Sequence, residues 1–481
     1  MNSRPPAHLP TLSSVPNARV QAARRAADTL AATLDLEPYR LQRTMPRPSV
    51  ARPVLHLEDL SVIPFLDGVP GVELYQHRAR VRAAEGDLYA AVSAPVEGYD
   101  AYCERIGLGH AHFVGAAATK SPLEVAKACA NGAAFDELAR HARAAGGLVV
   151  HPYMANEAVW ALAAALHDET GEDVTVIGPP PPVMWVANDK AALSRLVADV
   201  LGEASLVRTE IATSAAQAAG YLGEVAGCCG TVGLKRARCA SAMGNRVLDS
   251  QEVLRRGPDG WRAEVEDFLA ETKWDGEEEL LVVEWLRGAH SPSTQIWIPP
   301  EGMGDPVIDG VYEQLLEHDH GVFFGSRPSK FGPAVDEALA VPSLLVAAAL
   351  QRLGYVGRCS FDLLLVDTEG AQDVRFSECN GRWGGTSTPM HLVDRLVRGP
   401  RPPYRAQDFV HPGLVGARFT DVLATLGEHL YDPATGKGTF ILYNVGPLAA
   451  SGKLDVIALG ASPEHADELM QETLPKALGL A

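Results

Sequence analysis

RCSFDLLLVDTEGAQDVRFSECNGRWGGTS, residues 358–387, holds two strand-like runs, SFDLLLV and DVRFSEC, on either side of the polar turn DTEGAQ. This pattern predicts a β-hairpin. With the turn centred near Gly370, Asp362 lies opposite Glu378, and Asn380, two residues further on, shares the face of Glu378. A slip of one residue would send Glu378 and Asn380 to the other face. Two acids on strand interiors need a reason. Carboxylates with an amide oxygen suit Mg²⁺ bridging nucleotide phosphates, because Mg²⁺ prefers oxygen ligands and keeps several waters. Arg382 follows the acidic cluster and could grip a carboxylate or phosphate bidentately. Gly381, Gly384 and Gly385 would let backbone amides approach the same anion. A surface hairpin with a polar turn is the alternative that these residues alone leave open.

The rest of the chain has the make-up of an ordinary globular protein. Its 481 residues are 47% hydrophobic and 21% charged, and at roughly 100–200 residues per domain that length gives about three domains. The 42 Lys and Arg against 60 Asp and Glu leave a formal net charge of −18, which argues against a nucleic-acid partner held by clustered basic residues. MNSRPPAHLPTLSSVPNARV, the first stretch, has no apolar signal region. The longest strongly apolar stretch, Leu339 to Leu350, contains Pro342 and falls short of the about 20 residues that a bilayer span needs. No membrane partner is expected. The 7 cysteines include no C-x-x-C pair, which suits a reducing cytoplasm and thiols used mostly as small core residues, Cys228-Cys229 included.

Residues 1–54 read as a flexible arm carrying one short amphipathic helix, with Val20, Ala23, Ala27, Leu30 and Leu34 at helical spacing. Whether it packs on the body or on a second subunit is open at this level. Residues 55–185 alternate strands (88–94, 112–117, 148–154, 174–178) with helices (99–106, 123–143, 157–167), the signature of an α/β layer on a largely parallel sheet. Gly178 and the four prolines after it mark a boundary. Residues 186–400 read as a helix at 189–201, a β-rich stretch over 204–300, a helix near 336–353 and the hairpin. Residues 401–481 hold strands near 439–446 and 453–459 and a last helix capped by Ser462.

Phe-Asp-Leu-Leu-Leu followed by Glu378-Cys379-Asn380-Gly381-Arg382 resembles the metal-binding end of the ATP-grasp carboxylate–amine ligase superfamily, and ECNGRWGGTS is most similar to its pheganomycin-type peptide ligases. The resemblance implies an α/β (α+β) chain: an ATP-grasp fold with an N-terminal pre-ATP-grasp α/β domain and a small C-terminal module. It implies ATP and Mg²⁺ as cofactors, with Asp362, Glu378 and Asn380 as metal ligands. Asn188-Asp189-Lys190 matches the start of the ATP-grasp region, with Lys190 as the first phosphate-contacting lysine. TVGLKRA places Lys235 as the second, and CASAMGN, with Gly244, stands where the family has its phosphate loop. LLVVEWLRG puts Glu284, Trp285 and Leu286 at the hinge whose backbone meets the adenine edge. The stretch AHSPSTQIWI after it lacks the acid that often holds ribose.

By resemblance the activity is ATP-dependent amide-bond formation through an acyl phosphate, with Arg382 and Lys235 in catalytic roles. The partners implied are a small-molecule amino acid donor, nonproteinogenic in the pheganomycin-type branch, and an amino acid or peptide acceptor; the family also admits a homodimer. Candidate substrate contacts are Arg208, Gln295, Gln314, Arg327 and Trp383. A small-molecule kinase and a non-catalytic nucleotide-binding regulator are the alternatives. Gly436-Lys437-Gly438 lacks the remainder of a P-loop and reads as a turn, His318-Asp319-His320 points its side chains apart, and His110 and His112 read as structural.

Overall fold

In the computed structural model, which describes residues 5–39, 52–239, 243–317, 322–368 and 371–480, five parallel strands form the first layer. They are β1 (Val54–Leu57), β2 (Leu88–Ala91), β3 (His112–Gly115), β4 (Leu148–Pro152) and β5 (Val174–Val176), in spatial order β3-β2-β1-β4-β5. β2 to β5 fall where the alternating runs predict. β1, VLHL, is central yet only four residues long, too short to show a period after Pro53. Helices Gly132–Ala145 and Glu157–Thr170 pack on this sheet through Leu138, Ala142, Leu162 and Leu166. The helix expected over 123–143 is two, Val125–Cys129 and Gly132–Ala145, because Asn131 between them is extended (φ −139°, ψ 150°).

A small antiparallel sheet follows: β6 (Thr209–Ala212), β7 (Thr231–Arg236), β8 (Asn245–Asp249) and β9 (Leu280–Glu284), in order β6-β9-β7-β8. Its stretch of sequence is less β-rich than expected. Helices Ala215–Ala226 and Ser250–Glu271 intervene and cover the face bearing Val232, Leu234, Leu280 and Val282. The longer helix escaped the pattern because Gly257 (φ 66°) kinks it and Pro258 follows at once.

Eight strands build the large sheet: β10 (Pro292–Ile298), β11 (Val307–Leu316), β12 (Phe323–Pro328), β13 (Gly357–Thr368), β14 (Ala371–Asn380), β15 (Tyr404–Val410), β16 (Phe440–Asn444) and β17 (Lys453–Leu459). The order is β14-β13-β10-β11-β12-β15-β17-β16. Residues 401–481 therefore extend the large sheet through the β12–β15 pairing instead of forming a sheet of their own. Helix Pro333–Leu353 lies against Phe361, Leu363, Leu365 and Phe376, and each fully buried phenylalanine contributes about 1.5–3 kcal/mol. It is the one helix among the described residues that is long and apolar enough to cross a bilayer, and it is a core helix here, with Gln351 bonded to the Pro299 and Gly304 carbonyls. The arm helix Asn17–Ala31 packs on this body through Val20, Ala23 and Ala27, and Asp28 pairs with Arg352 at 2.7 Å.

All seven cysteines are free; Cys103, Cys129, Cys359 and Cys379 are buried as expected, but Cys228 is exposed and Cys229 and Cys239 are half-buried. The hairpin turn at Gly370, residues 240–242 of the phosphate-loop region, Pro46 and Pro48 of the connector, and His318-Asp319-His320 lie outside the described residues.

Candidate active site

The register of β13 and β14 decides which side chains reach the cleft. From Thr368↔Ala371 to Leu363↔Phe376 the pairing is offset by one from the register that puts Asp362 opposite Glu378. A β-bulge between Asp362 and Leu363 then corrects it, so that Asp362 pairs with Glu378 and Ser360 with Asn380. The bulge reverses the alternation. Phe376 and Cys379 both enter the core under helix Pro333–Leu353, whereas Glu378 and Asn380 emerge on the face of Asp362. Asn380 Nδ2 donates to Asp362 Oδ2 at 2.8 Å.

Cations converge on this face from other elements. Lys190 begins helix Lys190–Leu201, whose N-cap Asp189 accepts from the amides of Ala191 and Ala192 at 3.0 and 3.1 Å. The Lys190 amide bonds to the Ala237 carbonyl, and its buried ammonium reaches Glu378 Oε2 at 3.1 Å and the Cys239 carbonyl at 2.9 Å. Lys235 is held by the alternation of β7: Val232 and Leu234 enter the small-sheet core, so Gly233 and Lys235 face the cleft. Its Nζ stands 5.1 Å from the Trp285 ring centroid. Gly233 is required there, since a Cβ at that position would come within 2.7 Å of the Trp285 ring. Arg382 lies beyond the hairpin with its guanidinium 5.9 Å from the Tyr153 ring.

The electrostatics follow from crowding in a poorly hydrated cleft. Burial and the neighbouring Glu378 charge push the Asp362 carboxyl up to about 7, against hydrogen bonds from Ser293 and Gln314. Burial acts on Glu378 in the same sense, but Lys190, Lys235 and Arg382 outweigh it and hold this carboxyl below its ordinary value. Burial disfavours the Lys190 charge, yet Glu378 and Cys239 keep its pKa raised; Lys235, more weakly compensated, is lowered. Oxygen donors alone make up the Asp362, Glu378 and Asn380 set, and a carboxyl raised by burial and then by a like charge is one that a bound divalent cation would hold ionised. The residues present fit Mg²⁺.

At the hinge, the Glu284 amide bonds to the Arg208 carbonyl and the Trp285 amide to the Thr231 carbonyl, both at 2.9 Å. The Leu286 amide has no backbone acceptor among the described residues. The Glu284 side chain shares the face of Leu280 and Val282, so only its backbone borders the cleft. Gly244 accepts from the Arg236 amide at 2.8 Å, and a Cβ there would fall 2.6 Å from Cys239 Sγ.

Of the substrate candidates, Gln314 bonds to Asp362, and Gln295 is buried on the same face with Nε2 on Ser293 Oγ at 3.1 Å and its Oε1 without a partner. Arg208, Arg327 and Trp383 have other partners in the structure. The Arg208 side chain turns outward to Glu210, 3.7 Å away, and to Cys228. Arg327 is taken up by Glu313 and Asp467, each at 2.8 Å, on the opposite face of the sheet. Trp383, 2% exposed, donates to His151 at 3.2 Å and joins the hairpin to the parallel sheet. Three contributors were not singled out: Ser293 on Asp362, Cys239 beside Lys190, and Arg238, which bonds to Asp189 at 2.8 Å while stacking 4.5 Å over Trp185. All three contacts are non-local, those of Arg238 and Cys239 each spanning 49 positions.

No family model matches the chain, and no curated protein matches it. Solved structures do, at low identity. The biotin carboxylase domain of Hydrogenobacter thermophilus 2-oxoglutarate carboxylase, in complex with MgADP, ADP and bicarbonate, matches 89% of this chain and 93% of its own at 15% identity, with a TM-score of 0.53. Biotin carboxylase of Campylobacter jejuni matches 87% of this chain and 90% of its own at 12% identity and a TM-score of 0.53. The N5-carboxyaminoimidazole ribonucleotide synthetase PurK, an ADP complex, matches 91% and 98% at 13% identity and a TM-score of 0.51. The fold of this chain is the ATP-grasp fold.

Proposed function

We propose that the chain is an ATP- and Mg²⁺-dependent ligase that joins a carboxylate to an amine with release of ADP and phosphate. The carrying observation is the convergence of Lys190, Lys235 and Arg382 on a facing Asp362–Glu378 pair. A carboxylate oxygen is a poor leaving group, so the γ-phosphoryl group of ATP passes to it and ADP departs; the amine then attacks the acyl carbon and expels phosphate. Phosphoryl transfer needs positioning and charge neutralisation above all. Lys190 and Lys235 hold phosphate oxygens, the Leu286 amide meets the adenine edge, and Arg382 orients the carboxylate. Asp362, Glu378 and Asn380 would hold Mg²⁺, which supplies charge neutralisation at the phosphates when bound.

The finer reading is a peptide ligase of the pheganomycin type, with a nonproteinogenic amino acid as donor and a peptide as acceptor. Gln295 and Gln314, both on the cleft face, are its remaining substrate candidates. Seven free thiols go with a cytoplasmic setting. A second reading, bicarbonate as the carboxylate, is favoured by the neighbours that carry carboxylase names.

The test is ADP release from Mg²⁺ and ATP with amino acids, short peptides or labelled bicarbonate, with hydroxylamine present. A carboxylate-dependent hydroxamate, lost in Glu378→Ala, supports the ligase and identifies the donor. Label from bicarbonate in the product selects the second reading. A stable phosphorylated product would replace both with a kinase.

A further inference from the structure

β3 is the edge strand of the parallel sheet, and it carries His112 on the side where helix Gly132–Ala145 runs. Glu137 and His141 sit four residues apart on that helix and therefore on one face of it. One ligand atom from each of His112, Glu137 and His141 lies within 4.8 Å of the other two. His112 Nε2 and Glu137 Oε1 are 2.6 Å apart, and the two imidazole centroids are 5.0 Å apart. An isolated His–Glu contact would be an ordinary surface pair, but it does not account for a second imidazole placed against the first. Arg140 is 3.8 Å from Glu137 and 70% exposed, a weak competitor for the carboxylate.

We propose that His112, Glu137 and His141 form a binding site for a late first-row divalent metal ion, with Zn²⁺ as the occupant. Two imidazoles and one carboxylate with a fourth position left for water are a zinc donor set. Nitrogen donors select such ions over Mg²⁺, so the site is chemically distinct from the oxygen-only cluster in the cleft. Ligand atoms around a tetrahedral zinc stand about 3.3 Å apart, between the 2.6 Å of the His112–Glu137 contact and the 4.8 Å within which all three ligand atoms fall. Bound there, the ion ties the edge strand to the helix that covers it.

The full-length protein, stripped with chelator, is titrated with Zn²⁺ by calorimetry in saturating Mg²⁺. One zinc per chain is expected, with affinity unchanged in a Cys228→Ser/Cys229→Ser variant and at least ~100-fold weaker in His112→Ala/His141→Ala. Zn²⁺ raises the Tm of the first variant and leaves that of the second where it was. Glu137→Gln, which keeps the shape of the side chain, gives an intermediate affinity. Co²⁺ in place of Zn²⁺ shows d–d bands of nitrogen and oxygen ligation without a thiolate charge-transfer band. Zinc bound equally by the histidine variant, bound no more tightly than Mg²⁺, or lost with the two cysteines would overturn the site.

Discussion

The Lys190–Glu378 contact should appear as a coupling energy between two residues 188 positions apart in sequence. The pair is separated by 3.1 Å, with the lysine side chain 5% exposed and the glutamate 31% exposed. At an effective dielectric of about 20, Coulomb attraction at that distance is about 5 kcal/mol. Desolvation of Lys190 and solvent screening of Glu378 reduce this, and a net coupling of about 2–3 kcal/mol is expected. Lys190→Met, Glu378→Gln and the double variant complete a cycle with the unmodified protein. Urea unfolding followed by tryptophan fluorescence supplies the four stabilities, compared at the same transition. Each single variant should be destabilised, Glu378→Gln the more so because it leaves Lys190 and Lys235 facing one another across the cleft. The double variant should recover part of the loss. Single effects that add to within about 0.5 kcal/mol would refute the pairing and the electrostatic account of the cleft built on it.

Three further outcomes follow from side chains elsewhere. Asp455 is buried beside Asp408, and burial with that like charge pushes its carboxyl up to about 7. Its folded-state pKa lies above the unfolded value, so its contribution to stability is present in acid and lost as pH rises through about 7; Asp455→Asn should flatten Tm against pH in that window, and an unchanged slope would exclude Asp455 as its source. Gly233→Ala should move the Trp285 ring and weaken ATP binding, at a packing cost of about 1–3 kcal/mol, read by nucleotide titration together with Tm. Trp383→Phe removes the bond to buried His151 and should cost about 1–3 kcal/mol in unfolding while KM stays within about twofold; a large KM change would return Trp383 to the substrate pocket.

How far the sequence carried depended on how local each signal was. The hairpin was legible because its strands and turn lie within one short segment, and the expected Asp362–Glu378 pairing is the observed one. It is reached by a different route: a turn one residue out of that register and a bulge that restores it. Strands β2 to β5 were legible from alternation; β1 was not, since four residues hold no period. Helix Ser250–Glu271 was missed because Gly257, Pro258 and Gly260 are the residues that usually end a helix, and here two helical pieces continue across them. Arg327 and Trp383 looked available as isolated polar and aromatic residues. Their partners, Asp467 and His151, come from strands and helices 140 and 232 positions away, and no window of sequence shows them. Lys190, Lys235 and the hinge were placed by resemblance, whereas the contact of Lys190 with Glu378 came only with the fold.

Every reading of the cleft requires that ATP bind there through a metal held by the Asp362 face. Calorimetric titration of ATP into the full-length protein, with Mg²⁺ and then with chelator, measures this without knowledge of the second substrate. Saturable binding at one site per chain is expected in Mg²⁺, weakened at least ~100-fold by chelator or by Glu378→Ala. Equal affinity in all three conditions, or no binding in Mg²⁺, would contradict the account.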